Sequence, residues 1–113
     1  MAVPLHQAKA DFFRMLGHPV RIRVLELLRD GPLPVRGLLA AIEVGPSTLS
    51  QQLAALRRSG IVVSTRDGST VVYELAGGDV AALMLAARRI LTEVLAGRTE
   101  LLTELREPEG RAR

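Results

Sequence analysis

The chain has 113 residues, 48% of them hydrophobic and 24% charged, the balance of a folded protein with room for one core. No run approaches the roughly 18 apolar residues a membrane span needs, and the start, MAVPLHQAKADFF, lacks the basic-then-apolar order of a secretory signal. The absence of cysteine removes disulfides, thiolate metal sites and thiol redox chemistry, so a cytoplasmic protein is expected.

Net charge is only +3, yet 14 of the 15 basic side chains are arginine. Guanidinium keeps its charge and grips phosphate through two nitrogens, which suits a nucleic-acid surface. A GC-rich genome produces the same bias, so charge alone does not decide. Phe12, Phe13 and Tyr73 are the only aromatics. The core must be built from Leu, Val, Ile and Ala, which favours helices packed on helices.

Leu5, Ala8, Phe12 and Met15 recur at helical spacing and predict a first helix from Pro4 to Leu16, ended by Gly17. In HPVRIRVLELLRDG, His18 reads as a cap, Pro19 as a first-turn residue and Gly31 as the stop of a second helix. Its apolar stripe is Val20, Val24, Leu27 and Leu28, flanked by Arg21, Arg23 and Arg29. After a Pro-Leu-Pro break, Val35 to Ile42 predicts a short third helix, Glu43-Val44-Gly45 a tight turn, and Pro46 to Ser59 a fourth helix. In IVVSTRDGSTVVYEL two β-branched runs flank Asp67-Gly68, a strong hairpin signal in which both turn positions take positive φ. From Asp79 to about Leu105 the residues Val80, Met84, Ala87, Leu91, Val94, Leu101 and Leu105 predict a last helix, interrupted at Arg98 beside Gly97. Residues 1–106 form a single domain on this reading, and 107–113 a frayed tail.

A two-turn helix, a short turn containing Gly and a longer helix make a helix-turn-helix. Projected at about 100° per residue, Leu49, Leu53 and Leu56 of the fourth helix share one face. Ser47, Gln51, Ala54, Ala55 and Arg58 fall opposite, with Thr48, Ser50 and Arg57 on the flanks. Ser and Thr are ordinary helix starters, but that does not explain Gln51, two arginines and a following hairpin. The N-terminal residues of a recognition helix contact base edges. Gln pairs with adenine through two bonds, and hydroxyls serve as donor or acceptor. The candidate DNA-binding residues are therefore Ser47, Thr48, Ser50, Gln51, Gln52, Arg57 and Arg58 on the helix. Arg66, Ser69 and Thr70 join them at the hairpin tip, where a wing meets the flanking minor groove. Asp67 repels phosphate and is explained at this stage by turn chemistry.

The stretches FFRMLGHPVRIRVLELL, PSTLSQQLAALRRSGIV and RDGSTVVYEL, together covering about Phe12 to Leu75, resemble the ArsR/SmtB family of bacterial winged-helix repressors. The resemblance implies a mainly α winged helix-turn-helix with a small β-hairpin wing, in the order α-α-α-α-β-β-α. It also implies a homodimer through the first and last helices, bound to double-stranded DNA at an inverted repeat. The apolar first helix and heptad-like last helix want such a partner independently. The interface candidates are Leu5, Ala8, Phe12, Met84, Ala87, Leu91 and Val94.

Family members often carry His where Gln51 and Gln52 stand and Lys at Ala54, so base preference is expected to differ. One family metal site would use cysteines near Pro34 and Arg36, which cannot act as thiolates. Another would use the last helix, where Asp79 is kept but Ala81, Thr92 and Leu95 fill the other places. Only His6 and His18 offer imidazole. No cofactor is expected. His6 is the one candidate ligand for Ni(II) or Zn(II), short of the three or more N/O ligands such a site needs. A partner protein or small effector is the other source of a signal.

No enzyme is expected: there is no Cys, no Ser-His pair in a recognisable context and no phosphate-cradling Gly-rich loop. Carboxylate pairs such as Asp11 and Glu93 arise by chance. A winged-helix protein–protein module without DNA binding is the competing class. It predicts a neutral or acidic face on the fourth helix, against which Gln51, Arg57, Arg58 and Arg66 argue.

Overall fold

A computed structural model describes residues 2–106, and the chain divides after Ala81 into two units. In the first, helix α1 spans Leu5–Leu16, with Pro4 as its N-cap rather than inside it. Helix α2, Pro19–Leu28, opens as the sequence predicts: His18 is the cap, and its Nδ1 accepts from the Val20 N–H at 3.1 Å. It ends before Gly31, and its buried stripe is Val24, Leu25 and Leu28. Val20 and Leu27, expected in the stripe, are only half-buried, while α2 packs against α4 and β3.

The Pro-Leu-Pro break is not merely a break. Leu33–Pro34 forms a two-residue strand, β1, and Val35–Ala41 forms α3. Ile42, the predicted helix end, is instead extended (φ −121°) and buried, so α3 stops one residue short. Helix α4 is Pro46–Ser59, as predicted. It stops at Gly60, whose φ of 87° is a left-handed C-cap that a side chain would strain.

Strands β2 (Val62–Asp67) and β3 (Thr70–Leu75) pair antiparallel, and β1 adds to the other side of β3, giving the order β1-β3-β2. Leu33 faces Tyr73 and Pro34 faces Val72. A proline, which has no N–H to give, is tolerated on an edge strand. Asp67 pairs with Thr70, so the two-residue turn is Gly68-Ser69, one residue later than the sequence predicts. Only Gly68 there has positive φ (64°), and among the described residues no non-glycine residue does. That is the pattern of a turn with Gly in first place. Asp67 closes β2 in an ordinary extended conformation, so turn chemistry does not account for it.

The core of this unit is aliphatic: Val24, Leu25, Leu38, Leu49, Leu56 and Val62 are fully buried and Leu28 and Leu53 nearly so. Among the described residues no polar side chain is buried. Helix α5 runs from Gly78 to Arg106 without a break at Gly97. Its second half, in the second unit, has Ile90, Leu91, Val94, Leu95, Leu101, Leu102 and Leu105 exposed. Residues 107–113, the predicted tail, lie outside the described residues.

Leu53→Ala removes a side chain 2% exposed from beneath α4. It is expected to cost about 2–5 kcal/mol, read as a lowered midpoint in guanidinium unfolding. Ser47→Ala, on the exposed face of the same helix, should change stability by no more than about 0.5 kcal/mol.

Candidate nucleic-acid interface

Four residues, Ile42 to Gly45, connect α3 to α4, and the two helices with this turn form the helix-turn-helix. The rotation of α4 is set by Leu49, Leu53 and Leu56, all 2% exposed or less. Ser47, Thr48, Ser50, Gln51, Arg57 and Arg58 are exposed as a result. No side chain caps α4: its N-cap is Gly45, with Pro46 in the first turn. The hydroxyls of Ser47 and Thr48 are therefore not there to start the helix, and they stand open beside its free backbone N–H groups. Ala54 and Ala55 are half-buried, which narrows the exposed face.

Gln51 and Gln52, adjacent in sequence, do different things. Gln51 is exposed, whereas Gln52 is half-buried, and its Oε1 accepts from Arg21 Nε on α2 at 2.7 Å. Gln52 is thus turned toward the body of the unit with its carbonyl already engaged. Arg57 Nη1 lies 3.5 Å from Ser64 Oγ, leaning from α4 onto strand β2. Arg57 and Arg58 also occupy the last turn of α4, where the helix dipole favours cations.

At the wing, Arg66 and Ser69 are exposed and Thr70 is half-buried at the start of β3. The described ion pairs are Asp11–Arg14, Arg23–Glu26 and Arg29–Asp30. None involves Arg57, Arg58 or Arg66, so the positive charge on α4 and the wing is not neutralised by them.

Of the interface candidates on α1, Leu5 and Ala8 are exposed, and Phe12 is half-buried in an edge-to-face contact with Phe13, ring centres 5.4 Å apart. On α5, Leu91 and Val94 are exposed and Ala87 half-buried, while Met84 is buried at 7% exposure. Phe13, Ile90 and Leu95, 55–59% exposed, were not among the candidates. His6 is exposed, and among the described residues no three His, Cys, Asp or Glu side chains gather to hold a metal. Nor is any described helix long and apolar enough to cross a membrane.

A family model described as bacterial regulatory protein, arsR family, matches residues 18–64. An uncharacterized HTH-type transcriptional regulator of Mycobacterium tuberculosis, Rv0081, is 45% identical over 104 residues, 91% of each chain. The chain belongs to the ArsR family. The crystal structure of Rv0081 superposes with a TM-score of 0.80 at 44% identity, covering 87% of this chain and 99% of that one. The transcriptional repressor BigR from Xylella fastidiosa gives a TM-score of 0.71 at 36% identity, over 75% of this chain and 87% of BigR. A homodimeric winged helix-turn-helix DNA-binding domain from Mycobacterium bovis, Mb0332, gives 0.71 at 31% identity, over 80% of this chain and 84% of that one. This ArsR-family chain is a DNA-binding transcriptional regulator with a winged helix-turn-helix fold, in a family of regulators rather than enzymes.

Arg21, a flanking residue of the α2 stripe in the sequence, is brought by the fold to Gln52 and Met15. A signal for it was present: a cation in the first turn of a helix that has no acid there, where the dipole disfavours positive charge.

Gly68→Ala places a side chain at φ 64° in the wing turn. It is expected to destabilise the protein by about 1–2 kcal/mol, seen as a lower thermal midpoint, whereas Ser69→Ala beside it should leave the midpoint nearly unchanged.

Proposed function

We propose that the chain works as a homodimeric repressor at an inverted-repeat promoter site, with α4 of each copy in the major groove and the wing tip at the flanking minor groove. The observation that carries this reading is the first two turns of α4. They present Ser47, Thr48, Ser50 and Gln51 to solvent with no capping role to occupy them. Arg58 and Arg66 would bind phosphate or groove edge from either side. Repression follows BigR, and pairing of two copies follows Mb0332. The exposed apolar residues of α1 and of α5 supply surface for a second copy: such a concentration of leucines is not left in water without a use.

DNA binding on this reading needs no metal. A small effector would fit a cavity of about 300 Å³ lined by Leu28, Arg29, Pro32, Glu74 and Leu75, a volume at the lower end of ligand pockets.

The test is titration of metal-stripped protein into a duplex from its own promoter, in rising salt, then with Ni(II) and Zn(II). A steep loss of affinity with salt is expected, since each phosphate contact releases counterions; salt-independent or absent binding would favour the protein–protein module. Affinity within tenfold across the three metal conditions is expected, and a larger change would make His6 the first residue to mutate.

Gln51→Ala should relax discrimination at one base step by about 1–3 kcal/mol, read from a panel of single-base operator variants. Arg58→Ala should weaken all sequences alike and reduce the salt slope by about 1.

A further inference from the structure

The Arg21 guanidinium reaches two other helices at once. Its Nη1 donates to the Met15 carbonyl, near the C-terminus of α1, at 2.8 Å, and its Nε donates to Gln52 Oε1 on α4 at 2.7 Å. Both bonds are partly buried, and the second spans 31 positions of sequence. Met15 lies in the last turn of α1, where carbonyls have no intrahelical partner and carry the negative end of the dipole. Arginine is suited to this place because its planar fork sends donors in two fixed directions. The position is otherwise a poor one for a cation: Arg21 is the third residue of α2, in a first turn without an acid.

Helix α1 needs such a tie. Leu16 is its only buried residue, and Leu5 and Phe13 are 70% and 55% exposed, so the helix is held to the unit mainly at its C-terminal end. We propose that Arg21 is a positioning residue for DNA binding. By bridging α1 to α4 through Gln52 it fixes the recognition helix relative to a dimerisation helix, and so sets the half-site separation the dimer accepts. The proposal rests on the dimeric DNA-binding reading above. Within it, Gln52 becomes the receiving end of this bridge rather than a base-reading residue.

The experiment starts from a duplex selected from a randomised pool by the wild-type protein. Its two half-sites are then moved together or apart by one and two base pairs. Wild type is expected to lose tenfold or more per base pair of displacement. Arg21→Ala should bind the best spacing about tenfold more weakly and discriminate between spacings less than threefold, with base preferences unchanged. Gln52→Ala should behave the same way, and the double variant no worse than Arg21→Ala. Should Arg21→Ala fail to fold, Gln52→Leu removes the same bond while leaving Arg21 on Met15.

An unchanged spacing profile in these variants would overturn the proposal. So would multiplicative losses in the double variant, or a base-specific change in Gln52→Ala, which would return Gln52 to base contact. If wild type selects no duplex, or is indifferent to spacing, the dimeric DNA-binding reading itself falls, and Arg21's role with it. A merely structural Arg21 would lower the thermal midpoint and weaken every spacing by the same factor, which also overturns the proposal.

Discussion

Burial of Leu49, Leu53 and Leu56 beneath α4 is the constraint on which the rest of this molecule depends. At i, i+4 and i+7 the three form one stripe, and none is more than 2% exposed. Each contributes about 1.5–3 kcal/mol when taken out of water, so the helix has one stable rotation. Turning it by a single residue would swing the stripe by about 100° and trade leucines for Ser50 and Ala54. The outward direction of Ser47, Gln51 and Arg58 is therefore a consequence of what lies underneath them. Val24, Leu25 and Leu28 of α2 and Val62 of β2 contribute to the same core. A volume change there would be felt on the exposed face as a tilt of the side chains it presents.

The wing is fixed by a different device. Its inner strand, β3, is bonded on both sides, to β2 along its length and to the two residues of β1. The base of the hairpin is thereby pinned while its tip, Arg66 to Ser69, stands in solvent. Pro34 has no N–H to offer, and a proline on an edge strand discourages further strand addition. The lean of Arg57 toward Ser64 adds a link between α4 and β2, so the two surfaces that carry arginine are held by one framework.

Whatever had a local cause was legible in the sequence. Helix α4 was legible to the residue, because Pro46 starts it, Gly60 ends it and the leucine period is unbroken. The His18 cap was legible for the same kind of reason. What escaped depended on partners distant in sequence. Strand β1 exists because β3 comes back to pair with it, and nothing in Pro-Leu-Pro announces that. The wing turn slipped by one position because Asp-Gly fits the centre of one turn type, whereas here Gly68 alone takes the positive φ and Asp67 stays paired with Thr70. Gln51 and Gln52 were assigned together because they are adjacent in sequence near the start of α4. Only the arrival of Arg21 from α2 separates them.

That separation has consequences for how much sequence one protomer can read. Specific binding generally exceeds non-specific binding by about 4–10 kcal/mol, while one good bidentate contact discriminates by about 1–3 kcal/mol. With Gln52 engaged and Ala54 and Ala55 half-buried, the proposed complex leaves one α4 with Gln51 and three hydroxyls to read bases. A single copy would fall short of the specific range or barely enter it. In the proposed complex two copies read two half-sites, and the separation between them becomes a further element of recognition that a single helix cannot supply. A helix this sparing in proposed base contacts would make the rigid spacing of its two copies part of the specificity. On that proposal, the dimerisation surfaces and the ties that hold them to α4 belong to the reading of DNA as much as Gln51 does.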